Sequence, residues 1–248
     1  MKLELVKTID GSNSLKNLII NDSYHSKYGA INESKHIFIN NGLKRISKKK
    51  IRVLEIGFGT GLNALLTQLY CDKKEKRITY HTIDNLPLKE EIYSSLNYCD
   101  QLKIDKNIFL KIHSSLWENE IELSNFFVLK KMKYDFTKIL FNEKYDLIYF
   151  DAFSPSKQPE MWTLNNFKKL YDCLNTNGVL ITYSSKGDVK RIMKKVGLGG
   201  RLGSLAMALT LLVREEYQYE KYPTKMQKIM GGDDSRWAPH KRTFESGL

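Results

Sequence analysis

Apolar residues in this chain gather in short, nearly continuous runs, separated by stretches whose apolar positions recur at helical spacing. The runs predict strands at 51–56, 77–83, 107–112, 145–151 and 178–184, and the periodic stretches predict helices at 61–70, 87–97, 159–174 and 186–196. A run such as Tyr145-Asp146-Leu147-Ile148-Tyr149-Phe150 is too apolar for a half-exposed strand, so both faces of its sheet must be covered. Strands and helices alternating in this way predict an α/β fold, with a Rossmann-like, doubly wound and mostly parallel sheet. Ahead of it, residues 1–23 alternate around the turn Asp10-Gly11-Ser12-Asn13 and read as two short strands. Tyr28 to Leu43 reads as a helix that stops at Gly42, where glycine suits the left-handed position past a helix end. The expected organisation is therefore a small N-terminal strand and helix extension, 1–50, packed on a core domain, 51–214, with a C-terminal tail, 215–248. Within the last quarter, 205–214 reads as one strand or short helix and 230–248 as a weakly ordered tail.

Composition narrows the function classes. The chain has 248 residues, enough for one α/β unit at roughly 150 residues per domain, with a sizeable core. No apolar run reaches the ~18 residues a membrane helix needs, and Met1-Lys2-Leu3-Glu4 opens no signal-peptide core. Cys71, Cys99 and Cys173 are too far apart for a CxxC metal knuckle, and their odd number does not make a disulfide framework. A cytoplasmic protein with reduced thiols is expected. Forty Lys and Arg against 28 Asp and Glu give a net charge of +12, which suits a nucleic-acid partner. A general excess of lysine codons produces the same balance without any such partner.

Three motifs carry the candidate chemistry. In Val53-Leu54-Glu55-Ile56-Gly57-Phe58-Gly59-Thr60-Gly61-Leu62-Asn63 an apolar strand runs through three alternate glycines into a helix, so the backbone can turn sharply and approach a ligand closely. A nicotinamide fingerprint has its third glycine one residue later. The E-x-G-x-G-x-G spacing instead resembles motif I of class I S-adenosylmethionine-dependent methyltransferases. Asp84 ends the second core strand, where a carboxylate can accept hydrogen bonds from a ribose diol. Asp151-Ala152-Phe153-Ser154-Pro155, followed by Pro159-Glu160-Met161-Trp162, starts at the carboxyl end of a central strand. Its layout is analogous to the Asp/Asn-Pro-Pro-aromatic loops of amino-methylating enzymes, in which an acceptor group holds an amine N–H. The histidines, His25, His36, His81, His113 and His240, include no i, i+4 pair and have no nearby Cys, so no metal is expected.

Together with Tyr24-His25-Ser26, Gly29-Ala30, Glu33-Ser34, His36-Ile37-Phe38, Gly178, Thr182-Tyr183, Lys186-Gly187 and Val189-Lys190-Arg191, these motifs resemble a known family across about residues 20–197. It is the methyltransferase component of the tRNA 5-methylaminomethyl-2-thiouridine biosynthesis enzyme, in the form lacking the FAD-dependent half. The resemblance implies methyl transfer from S-adenosyl-L-methionine, without metal or FAD, to the aminomethyl nitrogen of the tRNA wobble uridine. It implies contact with the tRNA anticodon region, no membrane, and a separate enzyme that makes the aminomethyl group. Asp151 is then the catalytic candidate. The cofactor-binding candidates are Glu55, Gly57, Phe58, Gly59, Thr60, Gly61, Asn63, Asp84 and Trp117, and the substrate-binding candidates are Phe153, Pro155, Trp162, Tyr183, Lys186, Lys190 and Arg191. After Gly197 the chain departs from the family pattern, with Leu198-Gly199-Gly200-Arg201-Leu202-Gly203 in place of a Gly/Pro-rich loop and a Lys-Arg-Glu-Met strand. Two rivals remain at this level: a non-catalytic RNA-binding protein on the same scaffold, and an aminopropyltransferase acting on polyamines.

Overall fold

The computed structural model describes residues 2–198, and the expectations for 205–214 and 230–248 lie outside them. The chain begins with a small antiparallel sheet of three strands, β1 Leu3–Lys7, β2 Asn13–Asn17 and β3 Asp22–Ser23, where the pattern had suggested two. A helical segment follows, α1 Ala30–Ser34 continuing as a π-helical stretch Lys35–Asn40. Three consecutive residues of that stretch, Ile37, Phe38 and Ile39, are buried. A regular helix turns 100° per residue and does not aim three neighbours at one core, whereas the wider turn, closed by Asn41 N–H on the His36 carbonyl, helps to do so.

The core alternates as expected: β4 Lys50–Ile56, α2 Leu62–Lys74, β5 Arg77–Ile83, two short helices α3 Glu90–Tyr93 and α4 Tyr98–Leu102, and α5 Lys106–Ser114. Then come β6 Glu120–Ser124, β7 Phe127–Met132, β8 Tyr145–Phe150, α6 Leu164–Asp172, β9 Leu174–Thr182 and α7 Gly187–Lys195. The six-stranded sheet has the order β6-β7-β5-β4-β8-β9, parallel throughout except that β6 runs antiparallel to β7. All six residues of β8 are buried, which is the consequence of a central place in a sheet covered on both faces. Chain order reverses direction between β4 and β8, and it is outside the carboxyl ends of such a pair that open α/β sheets leave a crevice.

Two expectations are corrected here. Residues 107–112 are not a strand but lie within helix α5. Phe109, Ile112 and His113 are its buried residues, spaced for one face of a helix, and the Asp105 side chain caps its start by accepting from Asn107 N–H. The third parallel strand is instead β7, whose Lys130-Lys131 pair disguises a run in which Lys131 is as buried as Phe127 and Leu129. The predicted helix 87–97 is also broken, only Glu90–Tyr93 being helical before a new start at Tyr98. Elsewhere the boundaries move by a few residues: α6 begins at Leu164 after a 3-10 turn at Pro159–Trp162, and β9 starts at Leu174 rather than 178. Removing the cap tests the first correction. Asp105→Ala is expected to lower unfolding free energy by about 1 kcal/mol in urea titration, whereas a strand at 107–112 would leave it unchanged.

Candidate active site

The carboxyl ends of β4, β5 and β8 bring the three motifs together. Gly57, Gly59 and Gly61 all have positive φ, at 95°, 50° and 71°. A side chain at Gly57 would place its Cβ 2.6 Å from the Asp151 carbonyl oxygen, so this position needs glycine for space as well as for conformation. The glycine loop is pinned from β5. Asp84 accepts Gly59 N–H at 2.9 Å on one oxygen and Leu86 N–H at 2.8 Å on the other. Burial raises the Asp84 pKa against these bonds. Asp84 is thus both a turn residue and a carboxylate beside the loop.

Asp151 follows β8 directly, its N–H bound to the Ile56 carbonyl at 2.9 Å. Asn63, on the first turn of α2, donates from Nδ2 to Asp151 Oδ2 at 2.8 Å. Burial, and then the negative charge of Glu33, push the Asp151 carboxyl up to about 8. Glu55 is fully buried beneath the loop, accepts from Thr82 Oγ1 at 2.7 Å, and is pushed up to about 8, chiefly by that burial. It supports the loop from below.

The N-terminal extension forms one wall. The Tyr24 ring meets Phe153 edge-on at 4.9 Å and lies against Gly59. His25 bridges Ser14 Oγ at 2.9 Å and Thr60 Oγ1 at 3.4 Å, and burial lowers its pKa to about 4, so it is neutral at pH 7. Glu33 Oε2 accepts Ser26 N–H at 2.7 Å, tying this segment to α1. On the other side, Phe58 meets Trp117 edge-on at 6.0 Å, and Lys131 Nζ lies 5.0 Å from the Trp117 ring centre while donating to the His113 carbonyl. Lys131 is 1% exposed, and burial lowers its pKa to about 8. His113 donates from Nε2 to the Thr60 carbonyl at 3.0 Å, stacks on Tyr93, and stays neutral.

The remaining candidates divide. Phe153 and Pro155 are half-buried on the loop after β8. Trp162 is 4% exposed, with its indole N–H on the Phe153 carbonyl at 2.8 Å, so it braces this loop from behind rather than offering a face to a base. Tyr183, directly after β9, donates to the Ala152 carbonyl at 2.9 Å and braces the loop from that side. Lys186, Lys190 and Arg191 lie at the start of α7, with Lys186 and Arg191 exposed and Arg191 paired with Asp188. Glu33, Lys131 and His113 were missed as site residues. Glu33 and His113 carried no signal beyond the stretches in which they stand, and Lys131 was hidden by the unassigned strand. Among the described residues no group of His, Cys, Asp and Glu is arranged to hold a metal, and no helix is long and apolar enough to cross a membrane.

Residues 87–200 match a family model described as S-adenosyl-L-methionine-dependent methyltransferase. The chain is 34% identical over 168 residues to the tRNA 5-methylaminomethyl-2-thiouridine biosynthesis bifunctional protein MnmC of Leptospira interrogans, a match covering 59% of this chain and 25% of that protein. The crystal structure of MNMC2 from Aquifex aeolicus superposes with a TM-score of 0.66 at 28% identity, over 79% of this chain and 64% of that one. The chain is thus similar to the MnmC-type methyltransferases. An uncharacterized protein of Methanocaldococcus jannaschii is 30% identical over 189 residues, covering 73% of this chain and 50% of that protein. The chain thus spans less than two thirds of the length of each of these relatives.

Titration of this site has a consequence for stability. Glu55 and Asp151 bind protons more tightly in the folded chain than unfolded, so each favours folding at low pH and loses that contribution as pH rises toward about 8. The buried His25, His81 and His113 act oppositely, but only between about 4 and their ordinary value of 6.5. Lys131 also acts oppositely, chiefly above about 8. The urea midpoint is therefore expected to fall between pH 6.5 and 8. A midpoint that holds or rises across that window would contradict these protonation states.

Proposed function

We propose that this methyltransferase transfers a methyl group from S-adenosyl-L-methionine to the nitrogen of the 5-aminomethyl group on uridine or 2-thiouridine at the tRNA wobble position. The product is the 5-methylaminomethyl nucleoside. The observation that carries this reading is Asp151, a half-buried carboxylate at the carboxyl end of a central strand, hydrogen-bonded by Asn63 and touching the glycine loop through its backbone. The names of the MnmC relatives and the family model support the same reading and weigh against aminopropyl transfer.

The residues present fit the methyl donor. The positive-φ glycines leave a surface without side chains, Asp84 offers oxygens to a ribose diol, and Phe58 and Trp117 form an aromatic wall. S-adenosyl-L-methionine, when bound, supplies a methyl group on an electrophilic sulfonium, so that the N–C bond forms as the S–C bond breaks and sulfur leaves as a neutral thioether. The acceptor must present a lone pair, whereas an alkylamine near neutral pH carries an extra proton. Asp151 accepts an N–H of this amine and aims its lone pair, and takes the proton released. Its raised pKa makes it a stronger base than an ordinary carboxylate, so that proton moves at smaller cost. Tyr24 and Phe153, edge to face, limit water at the reacting atoms and offer ring surface to the uracil.

Lys186, Lys190 and Arg191 would meet phosphates of the anticodon arm, with Arg191 exchanging Asp188 for phosphate oxygens. In this reading residues 51–214 are the catalytic domain and 1–50 the wall packed on it. The enzyme works in the cytoplasm, where a separate activity supplies the aminomethyl group.

Labelled S-adenosyl-L-methionine incubated with tRNA carrying 5-aminomethyl-2-thiouridine is expected to give the methylaminomethyl nucleoside by mass spectrometry. Unmodified tRNA and a polyamine should give nothing. Transfer to the polyamine alone, or no transfer with cofactor bound, would reject the reading. Asp151→Ala is expected to abolish turnover while cofactor Kd stays within about threefold, since its role is in the transition state. Changing Lys186, Lys190 and Arg191 to Gln is expected to flatten the salt dependence of tRNA binding by up to about one logarithmic unit per lost contact. An unchanged slope would return these residues to a solvated helix face.

A further inference from the structure

Beneath the glycine loop a line of polar side chains connects β5 to Asp151. Thr82 Oγ1 donates to Glu55 Oε2 at 2.7 Å, and at the far end Asn63 Nδ2 donates to Asp151 Oδ2 at 2.8 Å. Between these bonds three polar atoms are left over. Glu55 Oε1, Asn63 Oδ1 and the Tyr80 hydroxyl are all buried and without a hydrogen-bond partner, and the Asn63 and Tyr80 side chains both lie within hydrogen-bonding reach of Glu55. Glu55 is 0% exposed and Asn63 4% exposed. An ionised carboxylate has no hydrogen to give, so with Glu55 charged the Tyr80 hydroxyl can donate to it but Asn63 Oδ1 is left without a donor in a site closed to solvent. A proton on Glu55 Oε1 supplies that donor while the same oxygen still accepts from Tyr80.

We propose that Glu55 is a neutral carboxylic acid that donates to Asn63 Oδ1, so that Thr82, Glu55 and Asn63 form a positioning relay for Asp151. The polarity of the line is then fixed at every link. Thr82 donates to Glu55, Glu55 donates to Asn63, and Asn63 donates to Asp151, which prevents the Asn63 amide from turning its oxygen toward the Asp151 carboxylate. Asp151 is held by one oxygen, and its Oδ1 makes no hydrogen bond within the described chain, leaving it for the acceptor amine. The influences on Glu55 divide. Hydrogen bonds from Thr82, Asn63 and Tyr80 favour the charged form, and the negative charge of Asp151, just past β8, favours the neutral one. Burial, the largest influence, also favours the neutral form and outweighs the hydrogen bonds. Glu55 is thus a positioning residue that acts through Asn63, in place of the cofactor contact its motif suggested. The relay rests on Asp151 being the carboxylate beside the acceptor amine.

Infrared difference spectroscopy on the full chain tests the protonation without substrate. At pH 7 the parent is expected to show the C=O band of a buried carboxylic acid, lost in Glu55→Gln and kept in Asp151→Asn. No such band in the parent, as a bridging water beside a charged Glu55 would give, overturns the proposal. So does a carboxylic-acid region left unchanged by Glu55→Gln, whatever band Asp151 itself contributes. Both substitutions are nearly isosteric, and neither result depends on whether tRNA is the substrate, so failure here is separable from failure of the functional reading. Kinetics then test the positioning. Glu55→Leu is expected to lower kcat by about a hundredfold, with KM for S-adenosyl-L-methionine within about threefold. Glu55→Gln, whose amide can donate where the acid did, is expected to recover at least about tenfold of that loss. A loss confined to cofactor KM, or no recovery with glutamine, would mean that Glu55 acts as a charge on the cofactor.

Discussion

At the carboxyl ends of β4 and β8 the backbone of Gly57 passes so close to the Asp151 carbonyl that no side chain fits between them. That approach makes one site out of two strand ends. It sets the glycine loop and the acceptor carboxylate at a fixed separation, and the Asp151 N–H bond to Ile56 locks the same junction from the other side. The rest of the cleft is arranged around it. Asp84 reaches from β5 to hold Gly59, Asn63 reaches down from α2 to hold Asp151, and Trp162 and Tyr183 clamp the carbonyls of the loop that follows. A reaction that needs an amine and a sulfonium in line gains most from such fixed distances, because positioning supplies much of its rate.

The cleft is unusual for a chain of net charge +12, since its titratable groups are mainly acids. Glu33, Glu55, Asp84 and Asp151 gather at one end of the sheet, while the neighbouring histidines are held neutral by burial. The two signs suit the two ends of the proposed substrate, a polyanionic backbone and a cationic amine. Overall basicity thus says little about the chemistry at the centre, and the local field there opposes it.

Much of this was legible in the sequence. The glycine spacing, Asp84 and Asp151 each stand at strand ends, and strand ends are marked by sharp changes from apolar to polar residues. What was lost depended on contacts between distant segments. Ile108 to Ile112 looks like a strand because it is almost wholly apolar, and only the covering of one helical face distinguishes the two readings. Strand β7 was overlooked because Lys130-Lys131 reads as solvated, whereas Lys131 is buried with its ammonium on a carbonyl and beside an indole ring. The wall built by Tyr24 to Ser26 is equally invisible to local pattern, because its partners Gly59, Thr60 and Phe153 are far along the chain.

The widened turn at Lys35–Asn40 bears on how this chain can tolerate length changes. Just ahead of it Glu33 secures Ser26, and within it Phe38 packs on Tyr149 with ring centres 5.0 Å apart. A chain one residue shorter between these two anchors would still coil smoothly, but they would be turned about 100° relative to each other. Either the aromatic pair or the tether to the cleft wall would be given up, so this helix works as an indexing device whose length is set to the single residue.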